Sequence, residues 1–312
     1  MESLKISINA VLPFVIYLGL GVFLKRFKNV DESFFKQLNA IIFSVFFPFT
    51  MFNNVHDISL DISSCIRLIF ICMITLFLLI ALSFVVVKRL VKENEKRGVI
   101  IQAIYRSNTL LYALPLIETL FGNDGTALGS IIIAFFVPIY NILAIIILEY
   151  FNGQNTSIKN LLLKILYNPL FQGAVIGLVF AFLHIHIPAI IDKTINTISS
   201  MTSPLALIVL GGTTKLMSIK QNMKYIIPTL TFKMVVFPLI TAFLGKILGL
   251  SSIELFVYFI LFATPVAVSS FSMAANMGGD SQLAGEFVSV STVISVLTLF
   301  LWILFLTSFH LI

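Results

Sequence analysis

Charge is scarce in this chain. Only 11% of its 312 residues are Asp, Glu, Lys or Arg, where a soluble domain carries roughly 25%. Runs such as 68–87, 125–148, 255–279 and 287–312 contain none. A helix needs about 20 apolar residues to cross a bilayer, so these runs argue against a soluble domain and for an all-α polytopic membrane protein. Cysteine is equally sparse. Cys65 and Cys72 would stand about 10 Å apart along one helix, beyond disulfide reach. There is no CxxC pair and no His/Cys cluster, so neither a metal site nor a cofactor is expected. The histidines, His56, His184, His186 and His310, fall near span ends and form no catalytic pattern with serine and an acid. No Walker loop is present, and the hydrophilic loops are too short for an ATP-binding domain, so neither an enzyme nor an ATP-driven pump is expected. Acids avoid the span centres: Glu118, Glu149, Glu254 and Glu286 lie close to span ends. That weighs against proton coupling through a central carboxylate.

Ten apolar segments remain, at roughly 7–24, 37–54, 65–87, 99–121, 126–149, 167–185, 196–214, 226–246, 253–277 and 286–308. The seventh, with Ser199-Ser200, Pro204 and Gly211-Gly212, is the least typical and is expected to be bent or shielded from lipid. Lys25-Arg26 follow the first apolar run, whereas a cleaved signal has its basic residues before it; the first run reads as a true span. The loops after spans one, three, five and seven hold Lys25, Arg26, Lys28, Lys36, Lys88, Arg89, Lys92, Lys96, Arg97, Lys159, Lys164, Lys215, Lys220 and Lys224. The opposite side has only Lys5, Arg67, Lys193 and Lys246. The positive-inside rule puts the crowded side in the cytoplasm and both termini outside a plasma membrane. The net charge of +6 follows from those loops, and no nucleic-acid partner is expected.

The chain matches itself at an offset of 156 residues. PFVIYLGLG from Pro13 lies over PLFQGAVIG from Pro169, SVFFPF from Ser44 over SMTSPL from Ser200, and FGNDGTALG from Phe121 over MGGDSQLAG from Met277. Residues 1–156 and 157–312 thus read as two copies of five spans each. Five is odd, so the second copy enters the membrane inverted, as in many secondary transporters.

The offset pairs the fourth span with the ninth. RSNTLLYALPLIETLFG begins at Arg106; FVYFILFATPVAVSSFSMAANMGGD begins at Phe256. Asn108 corresponds to Thr264, beside Pro265, which cannot donate a helix bond. Interrupted helices are tolerated in membranes only where protein or a water-lined cavity covers them. Two such ends meeting inside the protein would aim free N–H groups at one place, which suits an anion. Asn108 is the leading candidate for substrate contact. Thr264 divides evenly between contact and bonding its own backbone. Ser269 and its neighbours Ser270 and Ser272 add polar atoms and are weighted towards helix packing. Pro115 and Pro138 read first as structural. Arg106 has three outlets: a substrate carboxylate, the headgroups, or a neighbouring helix. Lys233 is an intramembrane charge for which a carbonyl or carboxylate partner is favoured over substrate.

With these residues in view, the sequence resembles the auxin efflux carrier family, which includes bacterial malate and malonate permeases and plant auxin exporters. The resemblance rests on NTLLYALPLIETLFG from Asn108, FFPFTMFNNV from Phe46, VPIYN from Val137, YNPLFQGAVIGL from Tyr167, SPLALIVLGGTTKL from Ser203 and ATPVAVSSFSMAANMGGD from Ala263. It implies ten helices in two inverted halves, with spans one, two, six and seven as a scaffold that commonly forms a homodimer. Spans three to five and eight to ten would form a transport domain that shifts as an elevator. It also implies that spans four and nine break and cross at Ser107, Asn108 and Pro265. Ser107 stands where the auxin exporters carry proline, Ala113 where glycine is frequent, and the linker between the halves is short. The chain therefore looks like a short prokaryotic-type member. The function expected is secondary transport of a small organic anion, a dicarboxylate such as malate. The alternatives are symport of another organic acid or an auxin-like monocarboxylate with a proton or sodium ion, and a non-transport sensor or assembly factor in the lipid bilayer.

Overall fold

The computed structural model describes residues 12–13, 16–27, 30–54, 56, 65–152, 163, 165–183, 185–213 and 216–312. Lys5, Lys28, Lys159, Lys164, Lys215 and His184 lie outside the described residues, as does most of the linker between the two copies. Helix α1 covers 16–24, and α2 runs Glu32–Asn53. Asp31 caps α2, its carboxylate accepting from the Phe34 N–H at 2.8 Å. Helices α3 (Ile66–Leu90) and α4 (Asn94–Tyr105) follow. Helix α5 occupies 109–121 and ends at Gly122, whose φ of 60° and ψ of −145° break the run. Then come α6 (Asp124–Asn152), α7 (Pro169–Phe182) and α8 (Ala189–Thr213). Helix α9 is Leu216–Thr231 continued through Phe232–Val236 into Phe237–Ile247. Helices α10 (Ser252–Ala263), α11 (Val268–Asn276) and α12 (Ser281–Ser308) complete the described chain.

Helices α2, α3, α6, α8 and α9 are each long and apolar enough to cross a bilayer, and α12 is a sixth if its 48° bend lies within one span. These are the proportions of a multi-pass membrane protein. Helix α3 shows the solvent it expects. It buries a stripe of Leu68, Cys72, Leu76, Leu79, Ser83 and Val87 and exposes Phe70, Ile74, Leu78 and Leu82. A helix apolar on both faces sits between protein and lipid. The segments expected at 99–121 and 253–277 are not continuous spans. Each is two helices, α4 with α5 and α10 with α11. The segment expected at 196–214 begins earlier, at Ala189, and remains one helix across Pro204.

Proline sets the local geometry in three places. Wide π turns at Ile42–Phe46, Thr109–Ala113 and Phe232–Val236 each end two residues before a proline, at Pro48, Pro115 and Pro238. Proline has no N–H for the carbonyl four residues back, and the ladder widens to a five-residue bond just upstream. The carbonyl that Pro238 leaves free belongs to Met234. It accepts from the indole N–H of Trp302, the single tryptophan, at 2.8 Å, which ties α9 to α12.

Glycine sets how closely helices approach. A Cβ on Gly21 of α1 would meet the Ile208 carbonyl of α8 at 2.0 Å, and one on Gly173 of α7 would meet the Pro48 carbonyl of α2 at 2.3 Å. Small residues permit this backbone contact between helices that have no hydrophobic drive to associate in lipid. Gly173→Leu is expected to destabilise the protein by at least about 1–3 kcal/mol, the usual cost of overpacking, because the obstacle is backbone. Melting in detergent checks it, with Gly19→Leu as control, since a Cβ there meets nothing within 4 Å. Equal melting temperatures would show that α7 and α2 do not pack this way.

Candidate functional site

The site is built from two interruptions that touch. Helix α10 stops at Ala263 because the residue before a proline is driven out of the α region: Thr264 takes φ −72° and ψ 157°. Helix α4 stops at Tyr105 without a proline, and Arg106 takes φ −87°, ψ 104°. Serine and asparagine offer the backbone alternatives to a helix ladder, and here the alternative is a strand-like partner. Ser107 and Val266 form an antiparallel bridge. The Asn108 N–H donates to the Pro265 carbonyl at 2.8 Å, and the Ala267 N–H donates to the Arg106 carbonyl at 3.2 Å. The Val266 N–H donates to Ser291 Oγ of α12 at 3.1 Å. Backbone groups freed by the breaks are thus paired with each other, where lipid would leave each several kcal/mol unfavourable.

Four helix ends converge here. Helices α4 and α10 bring C-termini; α5 and α11 bring N-termini. Among the neighbours are two cations. Arg106 is 2% exposed and Lys233 1%. The Arg106 guanidinium donates to Asn141 Oδ1 of α6, to Gln102 Oε1 at 3.4 Å and to Met273 Sδ at 2.7 Å. Lys233, carried on the π turn of α9, donates to Ser107 Oγ and, at 3.2 Å, to the Phe262 carbonyl in the last turn of α10. Every one of these acceptors is neutral. Ion pairs seen among the described residues include His56–Asp192 and Lys96–Glu93, and neither involves Arg106 or Lys233. The two buried carboxylates, Glu149 and Glu286, pair with neither cation; Glu286 accepts from Asn222 at 2.8 Å and Gln282 at 3.3 Å.

Several polar atoms beside the breaks carry no hydrogen bond. Thr264 Oγ1, Ser270 Oγ and Gln102 Nε2 are buried without partners, a state that ordinarily costs about 1–3 kcal/mol per group. Gln102 and Ser270 line the same narrow cavity behind the bridge. No bond joins the Asn108 side chain to any described residue. A larger cavity of about 390 Å³ opens between α2 and α8 on one side and α11 and α12 on the other. Asn39, Phe271 and Asn276 are on its wall, and Asn39 Oδ1 accepts from Ser272 Oγ at 2.8 Å.

The tertiary structure therefore brings Arg106, Ser107, Asn108, Thr264, Pro265 and Lys233 to one place. Ser269, half-buried on the first turn of α11, makes no bond there. Gln102 and Ser291 were not among the residues singled out from sequence. Gln102 had a signal, because it lies one turn before Arg106 on the same helix face. Ser291 had none, since only the packing of α12 brings it to Val266. The arrangement brings positive charge, free donors and N-terminal N–H groups together, which is a setting for a negatively charged ligand.

Comparison with known proteins agrees with a transport role. The chain is 26% identical over 311 residues to a protein of Methanocaldococcus jannaschii named as an uncharacterized transporter, covering 95% of this chain and 98% of the relative. It is 21% identical over 298 residues to another uncharacterized transporter, from Methanothermobacter thermautotrophicus, covering 95% and 97%. A family model described as membrane transport protein matches residues 6–303. With nearly its whole length matched, the chain belongs to the membrane transport protein family, that of the auxin efflux carriers.

Proposed function

We propose that this protein is a secondary carrier of small organic anions, with a dicarboxylate such as malate as its substrate class, held at the paired breaks. The observation that carries the reading is a pair of buried cations, Arg106 and Lys233, surrounded only by neutral acceptors. Burying an uncompensated charge is costly, and a dianion would neutralise both. Asn108 would hydrogen-bond the substrate, N–H groups at the start of α11 would face a carboxylate, and Thr264, Pro265 and Ser269 would shape the site.

The moving parts follow from an inverted repeat of ten helices, which has independent support. Thr202 Oγ1 donates to the Phe46 carbonyl at 3.3 Å, and the two residues are 156 apart. A residue bonded to its own counterpart lies beside a two-fold axis. The antiparallel bridge has the same property: Asn108 meets Pro265, one residue beyond its counterpart Thr264. Gly122 and Gly278, also 156 apart, both take positive φ, 60° and 75°. In this reading α1, α2, α7 and α8 form a scaffold that dimerises, and the rest moves against it as an elevator in the plasma membrane. The basic loops put the mouth of the α2–α11 cavity on the cytoplasmic side, as an inward-facing entrance. A coupling cation has less support, because the Lys233 ammonium already occupies the Phe262 carbonyl.

Counterflow of labelled dicarboxylate into liposomes holding the purified protein tests the function. Failure across a broad panel of organic anions, with folded protein, would sink it. Asn108→Ala is expected to weaken binding roughly 10- to 100-fold, the worth of a hydrogen bond to a charged group. Wild-type affinity would remove Asn108 from the site.

A further inference from the structure

We propose that a groove between α3 and α9 holds one phospholipid with an anionic headgroup, an acyl chain along the groove and the phosphate between Lys96 and Lys224. Helix α4 packs against both α3 and α9 and forms the floor. The groove measures about 490 Å³, with Leu82, Val86 and Leu90 of α3 on one wall, Phe232 of α9 on the other, and Ile100 and Ile104 of α4 beneath. Ser83 turns its hydroxyl onto its own helix, donating to the Leu79 carbonyl at 2.6 Å, so this wall stays apolar. Leu82, Val86 and Leu90 are exposed, and in a bilayer they face lipid. An unfilled groove forfeits dispersion contacts, which a hydrocarbon chain restores. The headgroup is selected at one end. Lys224 lines the groove; its Nζ lies 4.9 Å from the centre of the Tyr225 ring, and Lys96 Nζ lies 5.2 Å from the same ring. Tyrosine, apolar in body and polar at its tip, suits headgroup level. Glu93 accepts from the Tyr225 hydroxyl at 3.3 Å and pairs with Lys96 at 3.7 Å. One carboxylate beside two ammoniums leaves one positive charge, which a phosphodiester balances and a zwitterionic headgroup does not. Residues 88–97 add to the field, with five basic residues against Glu93 and Glu95, a pattern that attracts anionic lipid. A second copy across the same membrane would bring its own basic end to the same level, where like charges repel. Ile104 lies two residues before Arg106 and Phe232 next to Lys233, so the lipid braces both segments that carry the buried cations.

The test is native mass spectrometry of the full chain, released from detergent with phosphatidylglycerol or phosphatidylcholine titrated in, and with melting temperatures read in parallel. Phosphatidylglycerol is expected to be retained more tightly than phosphatidylcholine. The double variant Lys96→Gln/Lys224→Gln should weaken it roughly 30-fold, because each lysine at an anionic surface contributes about 1 kcal/mol. Lys96→Arg/Lys224→Arg should keep it. Val86→Trp, with Leu82→Trp as a second variant, fills the groove at unchanged charge and should also remove the preference. Equal retention of the two lipids, or unchanged phosphatidylglycerol affinity in the glutamine pair, would overturn the site. Retention that survives both tryptophan variants would leave no chain in the groove and overturn it as well. Displacement of the lipid by inorganic phosphate would make the lysines a phosphate site instead. A change from dimer to monomer in Val86→Trp would give the groove to a second copy.

Discussion

Arg106→Gln is expected to leave the protein folded and to lower its affinity for a dicarboxylate at least about 30-fold. The guanidinium is buried behind the bridge and acts on the site through its field as much as through contact. A unit charge about 8 Å from a carboxylate, at an effective dielectric constant of about 20, contributes about 2 kcal/mol, which is roughly that factor. Glutamine keeps an N–H donor that can serve Asn141 Oδ1, which now accepts from Arg106, and gives up the charge together with the weaker contacts to Gln102 and Met273. Because the charge has no acidic partner among the described residues, its loss leaves no carboxylate stranded, and melting in detergent should be unchanged or higher. Arg106→Lys should retain part of the affinity. Binding by titration calorimetry and melting of the same samples check both halves. Unchanged affinity would reduce Arg106 to a tie between α4 and α6.

Lys233→Met is expected to separate stability from transport. Methionine has similar length and no charge, and replacing a buried ion with an apolar side chain is often neutral or stabilising by about 1–4 kcal/mol. The melting temperature should therefore hold or rise. Transport should fall at least tenfold, because the ammonium joins the two halves of the crossing: it holds Ser107 of the first break and the Phe262 carbonyl before the second. It also supplies half of the site's positive charge. A residue that matters only for packing would lose stability and activity together, so retained transport with a lower melting temperature would refute a functional role.

Much of this was legible in the chain itself. The charge-free runs fixed a helical membrane protein, because lipid admits few charges and no unpaired backbone. The offset of 156 residues singled out Asn108 and Pro265 before any contact was known. Pro265 was readable because a proline acts on its immediate predecessor, Thr264. The break at Ser107 was harder. Neither Ser107 nor Asn108 forbids a helix, and the extended backbone there exists because Pro265 and Ala267 supply partners from 157 and 161 residues away. The span limits suffered for the same reason: hydropathy reports which residues tolerate lipid, and it cannot separate α4 from α5 or α10 from α11 where the residues flanking each break are mostly apolar.

Composition, the spacing of proline and the internal repeat thus determined the class of protein, the interrupted spans and the residues worth testing, because all three are properties of neighbours along the chain or of the solvent each segment accepts. The partners of the two cations were decided only by tertiary structure. Arg106 and Lys233 were conspicuous in the sequence, yet substrate, headgroups and a neighbouring helix were all open to Arg106, and for Lys233 the sequence favoured a carbonyl or carboxylate partner without saying which. Packing gave both cations neutral acceptors, a backbone carbonyl among them for Lys233, and paired neither with an acid among the described residues. Charge balance depends on which side chains meet in space, and that is set by helix packing over distances the local sequence does not encode.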